Sequence, residues 1–90
     1  MNAEQLGLLR IAILRALLKA EPLSLPFATI HDFALDAGFG DLTHTALAAE
    51  LSHLVKKGWV DPKENSFSPG QKRWEISADG RDEMERQGLV

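Results

Sequence analysis

The sequence predicts a mainly helical α+β domain of three helices, a two-stranded β-hairpin and a closing helix. Three observations carry that order. The opening segment Ala3–Ala20 is rich in Leu and Ala and repeats its apolar residues at helical spacing. Positions 43–60, THTALAAELSHLVKKGWV, run from an amphipathic helix through a glycine into the start of a strand. Arg73-Trp74-Glu75-Ile76 alternates as a half-buried strand does, and Ser77 after it suits the cap of a last helix.

The first helix ends before Pro22. Leu6, Leu9, Ile13, Ala16, Leu17 and Ala20 form one apolar stripe, and Gly7, Ile11, Leu14 and Leu18 form a second beside it, with Arg10 between them. A chain of 90 residues has little core to spend on both stripes. The second is expected to meet either the closing helix or the same face of another copy, and a homodimer through Gly7, Ile11, Leu14 and Leu18 is the reading adopted. Pro22 and Pro26 bracket a linker. Pro26 suits the first position of a second helix over 26–37, which turns Phe27, Ile30, Ala34 and Ala37 one way, with Phe33 at the edge, and Thr29, Asp32 and Asp36 the other. Gly38-Phe39-Gly40-Asp41 breaks that helix, with Phe39 expected in the core.

Thr43 is the expected N-cap of the third helix; Ala46 three residues on leaves no capping box. Leu47, Leu51, Leu54 and Val55 line its buried side, while Thr45, Ala49, Ser52 and Lys56 fall on the other. Lys56 and Lys57 sit at the negative end of the helix dipole, and Gly58 supplies a permissive stop. After Val60, the polar run with Lys63, Asn65, Ser66, Ser68, Pro69, Gly70 and Lys72 reads as a long hairpin tip of roughly ten residues. The last helix has Asp79, Asp82 and Glu83 in its first turns and little beyond Met84, Leu89 and Val90 to bury.

Composition is that of ordinary globular material, 44% hydrophobic and 26% charged, expected to form a single domain over 1–90. No cysteine is present, so neither disulfides nor thiolate metal sites are expected. Arg10, Arg15 and Lys19 interrupt the first helix, which argues against a secretory core or a membrane span and for a cytoplasmic protein. The net charge of −3 is unevenly spread: positions 43–74 hold five bases against three acids, a net +2, and the remainder carries −5. That split is what a weakly basic face on an acidic body would produce.

The order of these elements, with AELSHLVKKGWV in the third helix and WEISADGRDEM at the last strand, resembles the winged helix-turn-helix of small bacterial regulators of the ArsR, PadR and MarR type, and short winged-helix proteins of Mu-like prophages. The first motif is similar to the L-x-x-L-x-x-x-G ending of their recognition helices, the second to their T/S-x-x-G-R start of the last helix. The chain has neither the cysteines of ArsR metal sensors nor the long dimerisation arms of MarR proteins. The resemblance implies a third helix in the major groove of duplex DNA and a wing along the backbone or adjacent minor groove. It would place Thr43, Thr45, Ala49, Ser52 and His53 at the groove and Lys56, Lys63, Lys72 and Arg73 at phosphates.

Other chemistry is thin. His31, His44 and His53 lie on separate elements, with no metal-ligand spacing, and no nucleophile motif or glycine-rich phosphate loop is present, so neither an enzyme nor a cofactor is expected. Trp59 and Trp74 read as packing residues of the hairpin. The rival function is a winged helix that binds protein: the acidic charge and the lack of arginine on the third helix favour it, while the charge split and the polar helix face favour DNA.

Overall fold

The computed structural model describes residues 1–65 and 67–90, and for Asn65, Ser68 and Pro69 the backbone alone. The elements are α1 (Ala3–Ala20), β1 (Leu25–Pro26), α2 (Phe27–Asp36), α3 (His44–Lys56), β2 (Val60–Asn65), β3 (Ser68–Ile76) and α4 (Ala78–Arg86). α1 opens with a capping box, in which Gln5 N donates to Asn2 Oδ1 at 2.8 Å and Asn2 N to Gln5 Oε1 at 3.1 Å, satisfying two donors that a helix start leaves free. Thr43 caps α3 as expected, its Oγ1 accepting from Ala46 N at 3.1 Å. α2 differs by one residue at each end from the expected 26–37: Pro26 holds extended backbone as the N-cap, and Phe27 is the first helical residue.

The core lies where α1, α2 and α3 meet. Leu9, Ile13, Leu14 and Leu17 come from α1, Ile30 and Ala34 from α2, and Leu47, Leu51 and Leu54 from α3; Leu42, Val60, Ile76 and Met84 close it. Phe39, Trp59 and Trp74 are half-buried against this cluster. On the second stripe of α1, Leu14 is only 4% exposed, so it belongs to the core of the single chain, whereas Gly7, Ile11 and Leu18 remain half-exposed beside it. Met84 of α4 and Leu89 beyond its end cover part of that stripe, leaving a shallow groove of about 200 Å³ along Gly7 and Ile11. Among the described residues no helix is long and apolar enough to cross a membrane.

The sheet has three antiparallel strands in the order β1-β3-β2. It corrects two expectations. The run expected to form a long tip is mostly strand: β2 pairs with β3 from Val60↔Ile76 through Glu64↔Lys72, and only positions 66 and 67 separate the strands. Ser66 of the expected loop lies outside the described residues, as do the side chains of Asn65, Ser68 and Pro69. Positions 61–64 and 70–72 are exposed on both faces of the hairpin, so the period-two apolar signal that marks a strand is missing there. The expected linker also contains a strand. Leu25 pairs with Trp74 and Pro26 with Arg73, tying the α1–α2 connection to β3.

The end of α3 and the start of α4 are built as one junction. Gly58, at φ +80°, closes α3 in a Schellman motif, with Gly58 N donating to Val55 O at 3.0 Å and Trp59 N to Leu54 O at 3.1 Å. Ser77 then joins the two helices. Its backbone N–H donates to Trp59 O at 2.9 Å, its hydroxyl donates to Gly58 O at 2.5 Å, and the same Oγ accepts from Gly80 N at 3.0 Å to cap α4. This draws the α4 backbone so close that a Cβ on Gly80 would overlap the Trp59 carbonyl. Gly80→Ala should therefore destabilise the protein by roughly 1–3 kcal/mol through overpacking, despite alanine's better helix propensity, as a lower midpoint in urea or thermal unfolding.

Candidate nucleic-acid interface

The side of α3 opposite its leucines is open. Thr45, Ala48, Ala49, Ser52 and Lys56 are exposed, forming a row of small and polar side chains along 13 residues of helix. Alanines at 48 and 49 let another surface approach the backbone closely, and the hydroxyls of Thr45 and Ser52 can each donate or accept. Thr43 is exposed at the head of this row with its hydroxyl already engaged by the cap. His53 is half-buried, on the flank of α3. Glu50, which the sequence shows as one acid among several, is buried on that flank, and its Oε2 accepts from Arg10 Nε at 2.7 Å.

A cleft of about 470 Å³ separates this helix face from the hairpin. Ser52, Val55 and Lys56 form one wall, and Pro62, Lys72 and Trp74 the other, with Phe27 and Leu51 at the base. The hairpin wall is fixed by register, Pro62 lying opposite Trp74 on the neighbouring strand, and by Phe27, whose ring centroid is 6.1 Å from that of Trp74. Two ammonium groups thus border one groove with an apolar floor. A polyanion with sugar-like apolar surface between its charges has the matching chemistry.

The four basic positions expected to meet phosphate do not act together. Lys56 and Lys72 border the cleft. Lys63 and Arg73 are register partners, and by strand alternation both face away from Lys72 and Trp74. Arg73 is half-buried and occupied: its Nε donates to Ser24 Oγ at 3.0 Å and an Nη donates to Ser24 O at 2.7 Å. Lys63 Nζ lies 4.0 Å from Glu75 Oε2, an exposed pair of little energetic weight. The sequence had no signal for this division, because it depends on β1, whose two residues look like linker.

The histidines are the other departure. His31 and His44 are far apart in sequence, yet their rings meet edge to face at 4.7 Å between centroids. Phe27 joins both, at 6.4 Å from His31 and 5.5 Å from His44. His31 Nε2 lies 2.8 Å from Leu42 O, which accepts its proton and holds the turn before α3. Among the described residues no His, Cys, Asp or Glu group of three or more is arranged to hold a metal. The tryptophans lie apart: Trp74 lines the cleft, while Trp59 packs towards α4 with Lys57 Nζ 5.7 Å from its ring centroid.

Three helices, a small sheet whose long hairpin stands beside the third helix, and a closing helix define a winged helix-turn-helix, with α3 in the place of the recognition helix and β2–β3 as the wing. Solved structures agree. The PcaV transcriptional regulator of Streptomyces coelicolor, in complex with its natural ligand, superposes with a TM-score of 0.71 at 20% identity, over 99% of this chain and 54% of that one. A PadR-like transcriptional regulator of Bacillus cereus gives 0.71 at 18% identity, over 89% of this chain and 77% of that one. A MarR-family transcriptional regulator of Silicibacter pomeroyi gives 0.70 at 21% identity, over 92% and 51%. The chain thus spans about half the length of PcaV and of the MarR-family regulator. No protein-family model and no curated protein matches the sequence.

Arg73→Ala should act on the fold. Losing both bonds to Ser24 should cost about 1 kcal/mol or more of stability and loosen the β1–β3 pairing, read as faster amide exchange at Leu25 and Trp74.

Proposed function

We propose that the chain is a small transcriptional regulator that binds duplex DNA as a homodimer in the cytoplasm, with α3 in the major groove and the wing along the sugar-phosphate backbone. The observation that carries this reading is the cleft between α3 and the wing, with Lys56 and Lys72 on facing walls and the Thr45, Ala49, Ser52 row beside it. Thr45 and Ser52 meet base edges, Ala49 admits a thymine methyl, and Lys56 and Lys72 meet phosphates of the strand that crosses the cleft. Lys63 adds a weaker, more distant charge. Thr43 stands at the groove edge, His53 lies at the flank, and Arg73 holds the wing in place. The resemblance to solved transcriptional regulators supports a regulatory role, and no catalytic step is proposed.

The dimer part rests on α1. With Leu14 buried inside the chain, the surface left for a second copy is the half-exposed strip of Gly7, Ile11 and Leu18, where nothing lies within 4 Å of a Cβ added at Gly7. Ile11→Glu with Leu18→Glu should convert a dimer into a folded monomer, because two charges would face an apolar partner. Light scattering that finds the unaltered protein monomeric would end this part of the reading.

For DNA, duplexes selected from a random pool and an unselected control should be titrated at two salt concentrations. Affinity should fall steeply with salt as counterions are released. Lys56→Ala or Lys72→Ala should weaken binding to all sequences alike and lower the salt slope by about one. Thr45→Ala or Ser52→Ala should change the preferred sequence, at roughly 1–3 kcal/mol for each lost base contact. If no duplex binds at about 50 mM salt, where phosphate contacts are strongest, the same helix face serves a protein partner, the reading that the net charge of −3 and the arginine-free α3 favour.

A further inference from the structure

We infer that Arg10 is a positioning residue: through Glu50 it fixes the rotation of α3 about its own axis, and so decides which side chains point at the bases. The inference rests on the DNA reading above for its consequence, but its structural part stands alone. Side chains advance about 100° per residue around a helix. Leu47, Leu51 and Leu54 mark the centre of the buried side of α3, and Glu50 lies about 60° from that centre, on the flank opposite Val55 and the cleft. One flank borders the cleft, and the other is joined to α1 by Arg10 Nε and Glu50 Oε2 at 2.7 Å, with the two side chains 32% and 12% exposed. Among the described residues this is the one side-chain hydrogen bond or ion pair that ties α3 to another element.

Leucine packing alone sets that angle loosely, because apolar contact is non-directional. A rotation of about 20° would move a group at the helix surface, some 6 Å from the axis, by about 2 Å. Base-edge hydrogen bonds tolerate about 0.5 Å and 10–20°. A charge-assisted hydrogen bond between a planar guanidinium and a carboxylate is directional enough to supply the missing constraint. Partly buried pairs of this kind add little net stability against apolar replacements, and their best-attested use is to specify register.

The test is Arg10→Met with Glu50→Met, which removes the pair without stranding either charge. The double variant should stay folded, with a thermal midpoint no lower than that of the unaltered protein. Amide relaxation dispersion should show exchange confined to 44–56 that the unaltered protein lacks. Discrimination between selected and random duplex should fall at least tenfold, while affinity for random duplex and the salt slope stay within about twofold, an outcome that a general loss of structure would not give. Arg10→Lys keeps the charge without the planar fork and carries the same readouts should the apolar pair fail to fold; it should lose about threefold in discrimination. Unchanged α3 dynamics together with unchanged discrimination in the folded variants would overturn the inference. If the unaltered protein binds no duplex, the DNA reading fails separately, and the amide measurement decides alone: a still α3 in the variants overturns the positioning role, and a mobile one upholds it.

Discussion

The burial of Leu47, Leu51 and Leu54, each at most 1% exposed, is the constraint on which the rest of the structure depends. A helix that hides three leucines along one side turns its opposite side outward, and here that side carries short, hydroxylated and methyl groups with a single lysine. α1 and α2 supply the surface against which the leucines pack, and the two ends of α3 are closed by Thr43 and by the turn at Gly58. The wing then stands beside the open side, because the strand that follows Gly58 begins at the foot of the same helix. The exposure of this face is thus a consequence of packing underneath it.

The charges divide by residue type. Three of the five arginines join separate parts of the fold, Arg10 to Glu50, Arg73 to Ser24 and Arg81 to Glu21, and Arg86 pairs with Glu83 within α4. Lysines are used differently. Lys19 and Lys57 lie over Phe33 and Trp59, and Lys56 and Lys72 face solvent across the cleft. A planar guanidinium suits fixed bonds of known direction, whereas a flexible ammonium suits a surface that meets phosphates at variable spacing. An acidic chain can thus place two lysines on one cleft, with Glu64, the register partner of Lys72, the acid on the same face of the wing.

How much of this was legible in the sequence depended on how local the determinant was. The bounds of α1, the caps at Thr43 and Ser77 and the stop at Gly58 are each set within a few residues, and each was readable. The outer wing was not, since its residues have no buried face and its prolines look like turn formers. Pro62 is tolerated because β2 is an edge strand, and Pro69 because β3 has lost its β1 neighbour by that point. Partnerships across the fold were invisible for a different reason. Arg73 with Ser24, Glu50 with Arg10 and His31 with His44 join residues 49, 40 and 13 positions apart, and no periodicity encodes them. The candidate groove residues of α3 could be located from spacing alone, but the grouping of the wing cations required the sheet.

The wing has a further property that follows from its strand order. A hairpin that projects from a small protein is open to backbone pairing with the same hairpin on another molecule, the route by which sheets aggregate. The edge is blunted where β1 and β2 form it. β1 offers only Leu25 and Pro26, too short to template a partner, and β2 carries Asp61, Pro62, Lys63 and Glu64, which combine a missing donor with charges of both signs. Backbone pairing between copies is thus discouraged along β1 and β2, and the stretch of β3 at positions 70–72, beyond the reach of β1, is the part of the wing left open to another strand.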